Sequence, residues 1–287
     1  MQILKTESIQ KIHQGNLEFI SIDNPFCSAT ISYYGAQVLK FYSKNKSKDL
    51  LWLSELNQYQ HGKAIRGGVP LCFPWFGGHP TQSNFPAHGF ARNSIWTLSN
   101  IIEDATGHHL QFELTDSENT RLYWNYAFKL EMYIHCGETL HLELKLRNWD
   151  IQDFEFSFAW HSYFPIQTKN AKVKGLQGMN YIDQLDGNRL KIQQNELIKF
   201  TAELDRIYPN TSGIFSILEN DAEQIKIQST AKSTVIWNPW IEKAQRLGDI
   251  HDDAWQDFIC VETGQISTKT VKIKAGQSIS YQLEISD

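Results

Sequence analysis

Two residues far apart in the chain have the chemistry to move protons near neutral pH. His161 lies inside the aromatic run FAWHSYFP, residues Phe158–Pro165. A histidine held among rings can have its pKa set near working pH by burial and neighbours, and then serves as a proton donor. The same residue also reads as a core histidine with one hydrogen-bond partner. Alternation along an extended chain puts His161 on one face with Ala159 and Tyr163, and turns Trp160, Ser162 and Phe164 the other way. Glu262 follows the apolar run Phe258-Ile259-Cys260-Val261, which reads as a buried strand. Burial at the mouth of such a strand would raise the carboxyl pKa and make it a usable base. A strand-end glutamate facing water is the plainer alternative.

Donors for an anionic or hydroxyl-rich ligand cluster in two other segments. In AIRGGVPLCFPWFGG, residues Ala64–Gly78, Arg66 precedes two glycines. Glycine permits unusual φ and close approach of backbone to a ligand. The run has neither GxGxxG nor GKS/T, so it supports no nucleotide site. It also reads as a tight turn that packs Trp75 and Phe76, with Arg66 merely exposed. In His88-Gly89-Phe90-Ala91-Arg92, residues four apart fall on one side of an extended strand, so His88 and Arg92 could aim at one oxyanion or sugar hydroxyl. An ordinary surface pair is the alternative. Asp205-Arg206 reads alone as a loop ion pair. His61, His79, His135, His141 and His251 have no HxH, HxxxH or HExxH partner, and no zinc set is expected. No GxSxG element supports a serine hydrolase.

The elements that must position these residues alternate with period two. Leu140, Leu142, Leu144 and Leu146 face one way in TLHLELKLR, with His141, Glu143 and Lys145 opposite. Phe128, Leu130, Met132 and Ile134 repeat the habit, as do QIKIQ (Gln224–Gln228), TVKIK (Thr270–Lys274) and the C-terminal SISYQLEIS. Such alternation marks strands with one wet face, hence antiparallel sheets. Turn signals fall at His135-Cys136-Gly137-Glu138, Asp186-Gly187-Asn188 and Ala275-Gly276-Gln277, and the first predicts a hairpin of two strands of about ten residues each. The best helix is short, Ile241–Gly248, with Gly248 as its stop. Many strands with few helices predict an all-β fold, a large antiparallel β-sandwich. No linker or repeat divides the chain, so residues 1–287 read as one domain.

Composition removes several classes of function. The 287 residues carry 27 Lys+Arg against 32 Asp+Glu, a net charge of −5, which argues against nucleic acid as a partner. Charged residues at 21% and hydrophobic ones at 41% argue against disorder. No apolar run approaches the roughly 20 residues of a membrane helix. The start, MQILKTESIQKIHQGN, has no leader pattern. The four cysteines form no CxxC pair and read as buried or idle thiols in a reducing cytoplasm. The sequons at Asn45 and Asn210 then have no consequence. Aromatic residues make up 13% of the chain; they suit a packed core first and sugar-facing surfaces second.

In order along the chain, RGGVP…FPxFG from Arg66, HGFAR from His88, WHxYF from Trp160, DRxY from Asp205 and CVE from Cys260 resemble the hexose-6-phosphate mutarotases, or glucose-6-phosphate 1-epimerases, of the aldose 1-epimerase superfamily. The resemblance spans about residues 15 to 285. It implies a galactose-mutarotase-like supersandwich with a sugar site on one sheet face and no cofactor. It implies His161 as general acid, Glu262 as general base, and Arg66, His88, Arg92 and Asp205 as substrate contacts. Two positions depart from the family's pattern. Ala87 stands where Gln often helps bind sugar, which removes one side-chain hydrogen bond from the substrate site, and Thr263 stands where Pro often follows the base. A sugar phosphate is the implied substrate of a cytoplasmic monomer, with a free-aldose epimerase or a non-catalytic carbohydrate-binding sandwich as alternatives.

Overall fold

The four alternating leucines form the strand Leu140–Asn148, and all four are buried. The computed structural model of the chain describes residues 7–266 and 270–287; the first six residues of the segment read as leaderless lie outside them. Leu140–Asn148 pairs in register with Phe128–Cys136 around the Gly137 turn, as the alternation and turn signals predict. This hairpin sits inside a nine-stranded antiparallel sheet that runs from Leu197–Lys199 at one edge to Thr97–Asp104 at the other. The C-terminal strand Ser278–Ser286 joins the hairpin on its open side.

A second antiparallel sheet carries the residues of interest. Its strands run in the order Arg189–Ile192, Asn180–Asp183, Leu204–Tyr208, Ser233–Asn238, Phe258–Gln265, Phe158–Trp160 and Leu71–Cys72, with Tyr163–Pro165 also paired to Phe258–Gln265. One face of this sheet, with Leu71, Phe158, Trp160, Ile236, Ile259 and Val261, packs into the main core beside Leu142, Leu144 and Leu283 of the nine-stranded sheet. The Phe158 and Tyr281 rings meet across the two sheets at 4.6 Å. The opposite face, with Cys72, Ala159, Tyr163, Val235, Trp237 and Cys260, holds a separate buried cluster. Phe258–Gln265 is thus buried on both sides. That is why its sequence reads as an unbroken apolar run.

A five-stranded sheet built from residues 9 to 49 and a two-stranded pairing of Phe154–Phe156 with Val271–Ile273 complete the sheets among the described residues. The expected helix at Ile241–Gly248 is shorter and starts earlier, at Trp240–Ala244. All four cysteines are buried and free.

Candidate functional site

Strand register assembles the site on the outer face of the eight-stranded sheet. Asp205 lies opposite Trp237, Trp237 opposite Cys260, and Cys260 opposite Tyr163, so these four form one row across adjacent strands. In the next row Ile207 opposes Val235, and Val235 opposes Glu262. His161 sits between the short strands Phe158–Trp160 and Tyr163–Pro165, with its backbone N–H on the Pro70 carbonyl at 2.9 Å. Its side chain shares the face of Ala159 and Tyr163, as alternation implies, while Trp160 and Phe164 enter the main core.

His161 Nε2 lies 3.2 Å from Glu262 Oε1, and their side chains are only 8% and 2% exposed. Glu262 Oε2 has no hydrogen-bond partner, and His161 Nδ1 finds none beyond its own backbone. Burial pushes the Glu262 carboxyl well up; the Asp205 charge adds to this, and Arg92 and Arg66 oppose it. Burial pushes the His161 imidazole well down, helped by His88, Arg92 and Arg66. Both shifts disfavour separated charge, so the pair gains a second proton below the ordinary imidazole range and loses its last above the ordinary carboxylate range. A pair so coupled titrates as a unit. Such a unit can give one proton and take another through His161 and Glu262.

Arg66 is held from two sides. Its Nε and Nη2 donate to Asp249 Oδ2 at 2.9 and 2.8 Å, and its Nη1 donates to the Tyr163 hydroxyl at 2.9 Å. The Tyr163 ring stacks on His161, centroids 4.8 Å apart and nearly parallel. Arg66 stays charged, since the Tyr163 and Asp249 contacts outweigh its burial. Arg92 reaches the site from a turn. The segment expected to be an extended strand is not one: His88 and Gly89 have φ of +66° and +71°, and a 3-10 turn follows at Ala91–Asn93. Arg92 Nη2 donates to the Ala87 carbonyl at 3.0 Å, so Ala87 contributes backbone where a side chain was in question.

His88 packs edge-on to Phe76 at 4.8 Å and to His161 at 5.7 Å. Asp205 is in the strand Leu204–Tyr208, not a loop, and does not pair with Arg206. Strand alternation sends Arg206 to the Tyr181 ring, at 4.6 Å, and to Gln193. Asp205 instead accepts from Gln184 Nε2 at 2.5 Å and lies 3.6 Å from Lys243 Nζ, while burial raises its carboxyl.

The face therefore brings together His161, Glu262, Arg66, His88, Arg92 and Asp205. The sequence reading missed Asp249, which is 183 residues from Arg66, and missed Tyr163 as the link between Arg66 and His161. Cys260 was also missed: its Sγ, a His161 nitrogen and a Glu262 oxygen lie within 4.8 Å of one another. That donor set suits a soft divalent cation by type, but two guanidinium charges act on the same pair and work against one.

The family model for aldose 1-epimerase matches residues 18–286. A protein of Escherichia coli K12 named "Putative glucose-6-phosphate 1-epimerase" is 35% identical over 256 residues, 88% of this chain and 84% of that protein. One of the same name from Cenchrus ciliaris is 29% identical over 272 residues, 91% of this chain and 81% of its own length. The crystal structure of a "putative mutarotase (YeaD)" from Salmonella typhimurium superposes with a TM-score of 0.92 at 32% identity, covering 98% of this chain and 94% of that one. The fold is galactose-mutarotase-like, and the chain belongs to the aldose 1-epimerase family.

Proposed function

We propose that the protein interconverts the α and β anomers of a hexose 6-phosphate, with glucose 6-phosphate as its first substrate. The observation that carries this reading is the His161–Glu262 pair at 3.2 Å, buried on an outer sheet face under the influence of two arginines. Anomer exchange requires opening the ring hemiacetal. With the pair's one proton on His161, Glu262 takes the proton from the anomeric hydroxyl as His161 gives its own to the ring oxygen, which leaves the uncharged pair that burial favours. The C1–O5 bond breaks as the C1=O bond forms. The aldehyde turns about C1–C2, and closure runs the same transfers in reverse. The pair holds one proton before and after, so no hydride carrier or external acid enters the balance. General acid and base groups contribute roughly 10²–10⁴-fold each, enough for a reaction that already proceeds slowly in water.

A sugar phosphate carries about −1.5 to −2 charges at neutral pH. Guanidinium groups bind such oxygens in pairs, and we assign that role to Arg66 and Arg92, whose charges act on the His161–Glu262 pair. We assign Asp205, with its Gln184 and Lys243 neighbours, to the sugar hydroxyls. The Asp249 carboxylate on Arg66 favours a second reading, a free-aldose epimerase, because it offsets charge a phosphate would need. We take the protein to act as a cytoplasmic monomer on a small-molecule substrate.

The test is the rate of α-to-β conversion of glucose 6-phosphate, followed by polarimetry or a β-specific coupled dehydrogenase. Acceleration at micromolar protein is expected, and faster for the phosphorylated than for the free sugar. No acceleration with either overturns the reading; acceleration of the free sugar alone transfers it to the second.

A further inference from the structure

The two histidines of the site differ in what surrounds their nitrogens. His88 Nδ1 lies 3.2 Å from the backbone nitrogen of Gly77 and 3.3 Å from Cys72 Sγ. A peptide N–H has no lone pair to offer, so it can only donate, and Nδ1 must accept. An accepting Nδ1 carries no proton. Cys72 can then meet it only by donating its S–H. Burial keeps that thiol protonated, with its pKa pushed up to about 12. A neutral imidazole with a bare Nδ1 has its one proton on Nε2, on the far side of the ring from Cys72.

The backbone holds this ring in place. His88 N–H donates to the Gly77 carbonyl at 2.7 Å, and Phe73 N–H to the His88 carbonyl at 3.2 Å. A φ of +66° is uncommon for any residue with a side chain and persists only where the surroundings enforce it. The next residue must be glycine: a Cβ at Gly89 would stand 2.0 Å from the Phe73 carbonyl oxygen. The two glycine-rich segments of the sequence, RGGVPLCFPWFGG and HGFAR, thus fold onto each other, and the Cys72 and Gly77 of the first fix the His88 of the second.

We propose that Cys72 and the Gly77 backbone are positioning groups that hold His88 as a neutral Nε2–H donor to a sugar oxygen at the reacting centre. This rests on the anomer-exchange reading for its purpose, though not for its geometry. His161 trades protons with Glu262. His88 keeps its own. Burial and the nearby Arg92 and Arg66 charges push its pKa down to about 3, so it stays neutral wherever the enzyme works. A donor that cannot become an imidazolium orients the oxygen without competing for the transferred proton.

The test is heteronuclear NMR of the full-length protein with ¹⁵N-labelled histidine, the His88 signals being those lost in His88→Gln. The Nε2–H form is expected throughout about pH 5 to 8. An Nδ1–H form or an imidazolium in that range overturns the proposal, whatever the activity. In Cys72→Ala the Gly77 N–H still keeps the proton off Nδ1, but the Nδ1 signal moves as it loses one of its two donors, and kcat/KM for anomer exchange falls about 3- to 10-fold, the scale of one hydrogen bond. Cys72→Ser, which can still donate, restores both. A Cys72→Ala protein that matches the wild type in spectrum and rate also overturns the role of Cys72. If wild-type protein exchanges no anomers, the functional reading fails, and the labelled spectrum still decides the state of His88.

Discussion

Two histidine–carboxylate pairs lie on the outer faces of the two large sheets, at almost the same distance. His161 and Glu262 are 3.2 Å apart on the eight-stranded sheet; His109 and Asp104 are 3.1 Å apart at the edge of the nine-stranded one. The side chains of the first pair are 8% and 2% exposed and those of the second 42% and 51%. Asp104 also accepts from the Thr106 backbone N–H and hydroxyl at 2.7 and 2.6 Å, and these bonds push its carboxyl down to about 2. Glu262 has one oxygen with no partner, and burial pushes its carboxyl the other way. Residue type and spacing therefore do not decide whether a pair is suited to trade protons. Solvent and spare hydrogen-bonding capacity decide it, since a fully satisfied, screened carboxylate has little reason to take a proton.

The strongest way to break that contrast is to substitute the buried pair. Glu262→Gln and His161→Ala should each lower turnover at least about 10²-fold, the scale of a lost acid or base. Wild-type turnover in both would remove the proposed roles. Glu262→Gln should at the same time raise the melting temperature. A carboxyl whose folded pKa lies above its unfolded value binds more protons folded than unfolded, so stability declines as pH rises from about 4.5. Glutamine resembles the protonated form and escapes that decline. The gain should be present at pH 7 to 8 and vanish below about pH 4.5. A melting temperature unchanged or lowered at neutral pH would mean that the carboxylate is not held against its preference.

The two arginines come next in size. Arg66→Ala with Arg92→Ala should raise KM for glucose 6-phosphate by about 10- to 100-fold, the range for hydrogen bonds to a charged group. KM for free glucose should move far less. Equal shifts for both sugars would mean that the guanidiniums shape the catalytic pair and do not grip phosphate.

Why some of this was legible in the sequence and some was not follows from how each residue reaches the site. Glu262 sits in a strand and His161 at the junction of two short ones, and alternation fixes the face each presents, so both could be singled out from their types and surroundings. The leucine ladder of Leu140–Asn148 announced the sandwich for the same reason. His88 and Arg92 do come near His161, but the extended geometry assumed for them was wrong. The close pass of Gly89 against the Phe73 carbonyl, which no local pattern reveals, turns the chain there. Asp205 was read as a loop partner of Arg206; pairing with Ser233–Asn238 makes it a strand residue and separates the two. Asp249 could not be found at all, because only the folded chain brings it to Arg66. The helix at Trp240–Ala244 begins one residue before its apolar pattern and ends well short of Gly248, as capping and tertiary contacts shift such boundaries.

The smallest expected effect belongs to the exposed pair, and it sharpens the comparison most directly. Asp104→Asn should leave anomer exchange within about twofold of wild type, since surface substitutions away from special features change little. The sign of its pH dependence is opposite to that of Glu262. The Asp104 carboxyl is held at about 2, below its ordinary 3.8, so whatever it contributes is present above about pH 4 and is lost as pH falls toward 2. Denaturation midpoints of Asp104→Asn and wild type should therefore agree near pH 2 and differ, if at all, at neutral pH, where Glu262→Gln differs with the reverse sign. An Asp104 variant that lost activity on the scale of Glu262→Gln would show that exposure does not separate the two pairs, and the buried pair would lose its claim to the chemistry.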